Sequence, residues 1–172
     1  MTLVVWTIGH SSRPIETFLA LLEENRIERV ADVRRYPGSR AHPRFNPGPL
    51  ASSLVERGIE YLPFPELGGR RTPDPNSPNT VWRNPSFRAY ADYMQTPEFA
   101  AGLERLKETA RGGRTAVMCS EAVWWRCHRA LIADALKAGG ARVLHIIDEV
   151  RIVEHPYTSA ARIIDGKLVY GR

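Results

Sequence analysis

Five short apolar segments, separated by segments with helical spacing, constrain the fold more than any other feature of this sequence. They are rich in β-branched residues, which favour strands. The predicted strands cover residues 3–8, 29–33, 59–62, 115–118 and 142–147. Because helical segments alternate with them, we expect an α/β fold with a mostly parallel sheet of about five strands and helices on both faces.

The length of 172 residues fits a single domain spanning residues 1–172. Residues 64–95 differ in character, because glycine and proline are so frequent in their first half that no regular element is expected there. Asn84 and Pro85 would then begin a short helix, so this insertion is predicted to pack down as a lid. Near the end of the chain, Asp165-Gly166 between two apolar runs predicts a β-hairpin.

The net charge of +5 comes mainly from arginine. It favours anionic partners, and the alternative is that it only aids solubility. No apolar run approaches the roughly 20 residues that a membrane span needs, so no membrane partner is expected. The start of the chain lacks the features of a signal peptide, and two cysteines make no disulfide framework. A cytoplasmic location is therefore the expectation.

The reactive side chains concentrate at the carboxyl ends of the predicted strands. Ligands of parallel α/β sheets bind at that edge. In chain order, the candidates are His10, Ser11, Asp32, Arg34, Gly68, Gly69, Arg70, Cys119 and Glu121. Arg126 and Arg129 follow close behind the fourth strand. We therefore expect these loops to meet above one rim of the sheet and to form a single site.

Several short motifs in these loops resemble those of a known family, the domain of unknown function 488. The motifs are Thr7-Ile8-Gly9-His10-Ser11, Asp32-Val33-Arg34 with Pro37 and Ser39, Leu67-Gly68-Gly69, and Cys119-Ser120-Glu121 with Cys127-His128-Arg129. The resemblance implies a compact α/β domain, found mainly in prokaryotes, with no established activity. It also implies that these residues share a site.

Cys119 is the candidate nucleophile. A helix start and the nearby Arg126 and Arg129 are expected to lower the pKa of its thiol, which would favour the thiolate. The alternative is an inert, buried cysteine. Glu121 would act as a general base, or it would neutralise one of the two arginines. The spacing from Cys119 to Arg126 is one residue too long for the phosphate loop of tyrosine phosphatases, so phosphatase chemistry is disfavoured.

His10 and the Asp32–Arg34 pair each have two interpretations. His10 is placed to transfer protons, or it holds backbone groups of its loop. Asp32 and Arg34 form an ion pair that orders the loop, or Arg34 binds an anion while Asp32 positions it. Cys127 is expected near the first turn of the helix and facing Cys119. It packs there, or it forms a redox pair with Cys119; because the spacing is not Cys-x-x-Cys, packing is the favoured interpretation. Packing is also favoured for His128, which lies beside apolar positions of the helix.

The basic loops predict an anion site, because the fork of a guanidinium matches carboxylate and phosphate. Their arginines are Arg34, Arg35, Arg40, Arg44, Arg70 and Arg71. Gly68 and Gly69 are expected to allow a ligand close to the backbone. Their pattern is neither a Walker loop nor Gly-x-Gly-x-x-Gly, and the cysteines and histidines show no compact zinc motif. No cofactor and no metal are therefore predicted.

Three functions fit these features. The first is an enzyme acting on a small anionic substrate that bears phosphate or carboxylate, with Cys119, Glu121, His10 and Asp32 as its catalytic residues. The second is binding or processing of nucleic acid, for which Tyr36, Phe45 and Trp82 would stack on bases. The third is a non-catalytic sensor that binds a metabolite at the same edge.

Overall fold

The computed structural model describes residues 2–171. Its main sheet has six strands in the order β3-β2-β4-β1-β5-β6. These are β1 Val4–Gly9, β2 Arg29–Asp32, β3 Glu60–Pro63, β4 Thr115–Cys119, β5 Arg142–Ile146 and β6 Ile152–Glu154. All neighbours pair in parallel except β5 and β6, which pair antiparallel. The C-terminal hairpin is also present, with β7 Ala161–Ile164 and β8 Lys167–Tyr170.

The helices pack on both faces of the sheet. They are α1 Ile15–Glu24, α2 Pro47–Glu56, α3 Pro85–Tyr93, α4 Pro97–Gly112 and α5 Arg129–Ala138. Phe18 of α1 and Leu50 of α2 belong to one apolar core, whereas Phe99 of α4 and Leu131 of α5 belong to a second. The sheet is buried between these cores, so the predicted α/β class is confirmed.

Two features of the structure differ from the expected elements. Strand β6 was not predicted, because its three residues are too few to show a strand pattern, and they lie exposed at the sheet edge. After β4 the chain first forms a short 3₁₀ helix, Trp124–Arg126, and α5 begins only at Arg129. This delay matters for the site, because it determines which cysteine lies at the start of the helix.

The segment 64–95 packs against the rest of the structure through its second half. The side chain of Asn84 accepts from the backbone N–H of Ser86 and caps α3, as the sequence indicated. Tyr90 of α3 belongs to the same apolar core as α4 and α5. Its hydroxyl also donates to the carbonyl of Leu67, in the first half of the same segment, at 2.7 Å. The role of segment 64–95 as a lid stays a prediction, and so does the assignment of the whole chain to one domain.

No helix among residues 2–171 has the length and apolar character that a membrane span requires.

Candidate functional site

Backbone contacts join the loops that follow β1 and β4 at the carboxyl edge of the sheet. The backbone N–H of His10 donates to the carbonyl of Cys119 at 2.9 Å. Gly9 permits this approach, because a Cβ there would lie 1.6 Å from the carbonyl oxygen of Glu121. Any larger residue would push the two loops apart. The sequence thus holds the Cys119 turn beside the end of β1.

A cleft of about 380 Å³ opens at this edge. The candidate residues that line it are His10, Arg34, Gly69, Arg70, Cys119, Glu121 and Arg126. Further lining residues include Arg35, Tyr36, His42, Ser120, Cys127 and His128. The remaining candidates do not line it: Asp32, Gly68 and Arg129 are buried, and Ser11 is half-buried. Loops that are far apart along the chain therefore meet around one opening.

Arg34 is held by partners on every side. Its Nε and Nη2 donate to the two carboxylate oxygens of Asp32 at 2.9 and 2.8 Å. The other N–H groups donate to the carbonyls of Pro37 and Phe45 and to Nε2 of His10. Because a guanidinium has five N–H donors, these contacts occupy all of them. The geometry is that of the ion pair that orders the loop.

His10 is likewise engaged through both ring nitrogens. Nδ1 lies 2.8 Å from the carbonyl oxygen of Ser11, which can only accept, so Nδ1 carries the hydrogen. Nε2 then accepts from Arg34 at 3.3 Å. Burial lowers the pKa of His10 to about 4, and the Arg34 cation adds to the lowering. The ring is therefore neutral at pH 7 and holds its loop in place.

Two free thiols meet inside the cleft. The sulfur atoms of Cys119 and Cys127 are 2.9 Å apart. Cys119 is the last residue of β4 and is 1% exposed, whereas Cys127, in the link before α5, is 7% exposed. Cys127 is therefore the more accessible of the two.

The Cys127 sulfur also contacts a histidine that can accept a proton. Nδ1 of His128 lies 3.3 Å from Sγ, and the backbone N–H of Arg129 donates to Sγ at 3.5 Å. Nε2 of His128 lies 2.9 Å from the carbonyl oxygen of Val33, so Nε2 carries the hydrogen. Burial lowers the pKa of His128, which keeps the ring neutral. Its Nδ1 lone pair thus faces the Cys127 sulfur.

The expectation that the pKa of Cys119 is lowered is wrong. Burial, together with the hydrogen bond to Cys127, raises the pKa of Cys119 well above its ordinary value. The same hydrogen bond lowers the pKa of Cys127 against the opposing effect of burial, and the Arg129 cation adds to the lowering. The late start of α5 adds to this difference, because it puts the backbone N–H of Arg129 beside the Cys127 sulfur. Of the two thiols, Cys127 is therefore the one that loses its proton more readily.

Arg129 lies beneath the loop that follows β4. It is 1% exposed, and its Nη2 donates to the carbonyls of Glu121 and Ala122 at 3.1 and 3.3 Å. Its Nη1 lies 3.4 Å from the hydroxyl of Thr7. The guanidinium therefore supports the loop from behind and acts on the cleft only through its charge.

The two glycines of the Leu67-Gly68-Gly69 motif allow protein parts to pack closely. A Cβ on Gly68 would lie 2.5 Å from the Cβ of Arg35, and one on Gly69 would lie 3.1 Å from Nδ1 of His128. Gly68 is buried. Close packing against Arg35 and His128 thus accounts for both glycines without a ligand.

Basic and aromatic side chains surround the mouth of the cleft. Arg35 donates to the carbonyl of Arg70 at 2.9 Å, and both guanidinium groups lie over the ring of Tyr36, at 5.3 and 5.9 Å. Tyr36 is 59% exposed. Arg126 and Glu121 are also exposed, on the loop before α5. The rim therefore offers mainly positive charge to an entering molecule.

A family model described as "Domain of unknown function DUF488" matches residues 14–136, which is more than half of the chain. The chain belongs to this family. No curated protein and no solved structure matches the chain. The matched residues include the thiol pair, Asp32, Arg34 and both glycines, whereas His10 and Ser11 precede the match.

Within this DUF488 domain, the structure adds Cys127 and His128 to the residues that line the cleft. The sequence favours packing for both, because the spacing of the two cysteines is not Cys-x-x-Cys and His128 falls beside apolar positions of the predicted helix. The signal available in the sequence was the adjacency of Cys127, His128 and Arg129, which puts a thiol, an imidazole and a cation on consecutive positions. Across residues 2–171, no three His, Cys, Asp or Glu side chains are arranged to hold a metal ion.

Proposed function

We propose that this protein is an enzyme that binds a small anionic substrate, bearing phosphate or carboxylate, and attacks it with the Cys127 sulfur. The observation that carries the proposal is the 3.3 Å contact between Sγ of Cys127 and the lone pair on Nδ1 of His128, inside the cleft. A thiol beside a positioned base is the arrangement that nucleophilic catalysis by cysteine needs. The proposal moves the nucleophile from Cys119 to Cys127.

Each neighbour of Cys127 has a role in forming the thiolate. His128 accepts the thiol proton at Nδ1, and the resulting cation is stabilised by the Val33 carbonyl that Nε2 contacts. Once Cys127 has lost its proton, the backbone N–H of Arg129 stabilises the negative sulfur, which can also accept a hydrogen bond from the Cys119 thiol 2.9 Å away. His10 and Asp32 act indirectly. Asp32 holds Arg34 in position, and His10 holds its own loop and contacts Arg34.

The anion would be held by the arginines at the mouth. Arg70 and Arg126 are exposed, and a guanidinium binds carboxylate or phosphate through two parallel N–H donors. Arg34 is less suited to this role, because its donors are already used within the protein. Glu121 lines the same cleft and is the candidate general base.

Alkylation with two reagents of similar size tests this proposal. Iodoacetate carries a carboxylate, whereas iodoacetamide is neutral. We expect the ratio of their rate constants at Cys127 to favour iodoacetate more than the ratio for free cysteine does, because the arginines attract the anion. The double variant Arg70→Gln/Arg126→Gln should remove the preference. Arg111→Gln, on the last turn of α4, is the matched control and should keep it.

Two results would contradict the proposal. One is a reagent ratio equal to that of free cysteine and unchanged in the double variant. The other is an alkylation rate at Cys127 with a midpoint at or above the unperturbed thiol value of about 8.5.

A further inference from the structure

We infer that Cys119 and Cys127 are an oxidation site, at which a hydroperoxide joins the two thiols in a disulfide within one chain. Cys127 is oxidised first, and Cys119 completes the bond. This reaction needs no substrate of the proposed enzyme, so it goes beyond the proposed function, although both depend on the Cys127 thiol.

The geometry places the sulfurs almost at bonding distance. They are 2.9 Å apart, and a disulfide bond of about 2.05 Å requires an approach of roughly 1 Å. Cys119 is fixed by β4, which is paired on both sides with β1 and β2. Cys127 lies in the irregular link between the 3₁₀ helix and α5. The small movement therefore falls on Cys127.

The order of oxidation follows from access and from the available proton acceptor. Cys127 is the more exposed thiol, and Nδ1 of His128 lies beside its sulfur. The cleft of about 380 Å³ has ample room for a small hydroperoxide. Cys119 is 1% exposed and has no such base beside it in residues 2–171, so it reacts second.

Two steps account for every atom. The Cys127 thiolate attacks one peroxide oxygen, the O–O bond breaks, and the alkoxide leaves as an alcohol with the proton held by His128. This leaves a sulfenic acid on Cys127. The Cys119 sulfur then attacks the Cys127 sulfur, the S–O bond breaks, and hydroxide leaves as water with the Cys119 proton. Two electrons pass from the sulfurs to the peroxide.

Oxidation would switch off the proposed nucleophile. The disulfide contains the Cys127 sulfur, so no thiolate remains to react with an alkylating agent. A dithiol reductant would restore it by exchange.

Tryptic digestion offers a direct test, because Arg126 separates the two cysteines. The folded protein is treated with tert-butyl hydroperoxide, blocked with iodoacetamide and digested without reductant. We expect the peptides 115–126 and 127–129 to be recovered joined, and to separate after reduction with dithiothreitol. The intact chain should have lost two hydrogen atoms and should run as a monomer on a non-reducing gel.

Serine variants identify the order. Cys119→Ser should stop at the sulfenic acid, which dimedone captures on Cys127. Cys127→Ser should leave Cys119 unmodified over the same time. The inference is overturned if the joined peptide is missing from the oxidised protein, or if it arises only from disulfide-linked dimers. If the joined peptide is missing while the iodoacetate preference holds, this inference fails and the proposed function stands. If the joined peptide forms while the iodoacetate preference is missing, the proposed function fails and this inference stands.

Discussion

Two buried polar clusters approach each other at Thr7 and Arg129, and they differ in how fully their hydrogen bonds are satisfied. One is the Asp134 network, formed by Thr7, Asp134, His145, His155, Thr158 and Tyr170. The other is the thiol cluster, formed by Cys119, Cys127 and His128. The first is closed, whereas the second opens onto the cleft.

In the Asp134 network, every hydrogen bond is oriented with its donor hydrogen pointing toward the Asp134 carboxylate. His155 donates from Nε2 to Asp134 at 2.7 Å and receives at Nδ1 the Nε2 hydrogen of His145, at 2.9 Å. His145 in turn accepts from the hydroxyl of Thr7 at 2.5 Å. The other oxygen of Asp134 accepts from the hydroxyls of Thr158 and Tyr170. Asp134 and both histidines are at most 1% exposed.

The thiol cluster is also largely buried, although Cys127 is 7% exposed and His128 is half-buried, and its chemistry differs. Its His128 carries a lone pair that faces a thiol, and that thiol lines an opening. A closed network of satisfied groups stabilises a fold, because each buried group has its partner. A base and a nucleophile that a small molecule can reach are a candidate for catalysis. Burial of polar residues alone does not distinguish the two.

The largest expected effect is on stability, from Asp134→Ala. The change leaves the donors of His155, Thr158 and Tyr170 without their acceptor, which should lower the free energy of unfolding by roughly 4 kcal/mol. Urea denaturation measures the loss. Glu104→Ala is the control, since it removes one carboxylate from an exposed ion pair on α4 and should cost well under about 1 kcal/mol.

The same variant tests whether the network is separate from the cleft. Under conditions where Asp134→Ala remains folded, Cys127 should keep the pH midpoint of its alkylation. A shifted midpoint, or a stability loss as small as that of Glu104→Ala, would mean that the two clusters are not distinct.

The second largest effect is expected on acidification, through His145 of the Asp134 network and His10 of the cleft lining. Burial lowers the pKa of His145 to about 2 and that of His10 to about 4, from 6.5 in an unfolded chain. Below pH 6.5 the unfolded state therefore takes up protons that the folded state does not. Stability should be greatest above pH 6.5 and should fall on acidification, by at most about 1.4 kcal/mol per pH unit for each histidine.

The two histidines differ in where that loss ends. The contribution of His10 should be fully lost near pH 4, whereas that of His145 continues toward pH 2. Urea denaturation at a series of pH values, repeated for His10→Gln and His145→Gln, measures both. Each variant should show a flatter profile than the natural chain, and an unchanged slope between pH 6.5 and pH 4 would contradict the assignment of neutral rings.

The sequence predicted the parts of this comparison that depend on local pattern. Apolar runs and helical spacing are local, so five of the six sheet strands, their order along the chain and the edge that carries Cys119 could be derived. The Asp134 network could not, because Asp134, His145 and His155 come from α5, β5 and the segment after β6. Nothing in their spacing along the chain shows that their side chains meet.

Which cysteine of the thiol pair has the lower pKa also depends on the three-dimensional structure and could not be predicted from the sequence. Whether Cys119 or Cys127 has the lowered pKa is decided by the path of residues 120–128 and by the residue at which α5 begins. Periodicity leaves a helix boundary uncertain by a few residues. Here that margin decides whether Cys119, the last residue of β4, or Cys127 lies next to the start of α5.

The smallest effect on stability, and the sharpest test of the thiol cluster, is expected from His128→Gln. The glutamine amide reaches the position of Nε2 and can still donate to the Val33 carbonyl, so the free energy of unfolding should fall by only about 1 kcal/mol. It offers no basic nitrogen to Cys127, so the alkylation midpoint should rise toward the unperturbed value of about 8.5. His42→Gln changes another histidine of the cleft lining and should leave the midpoint in place. If His128→Gln leaves it in place as well, His128 is a packing residue, and the thiol cluster is as purely structural as the Asp134 network.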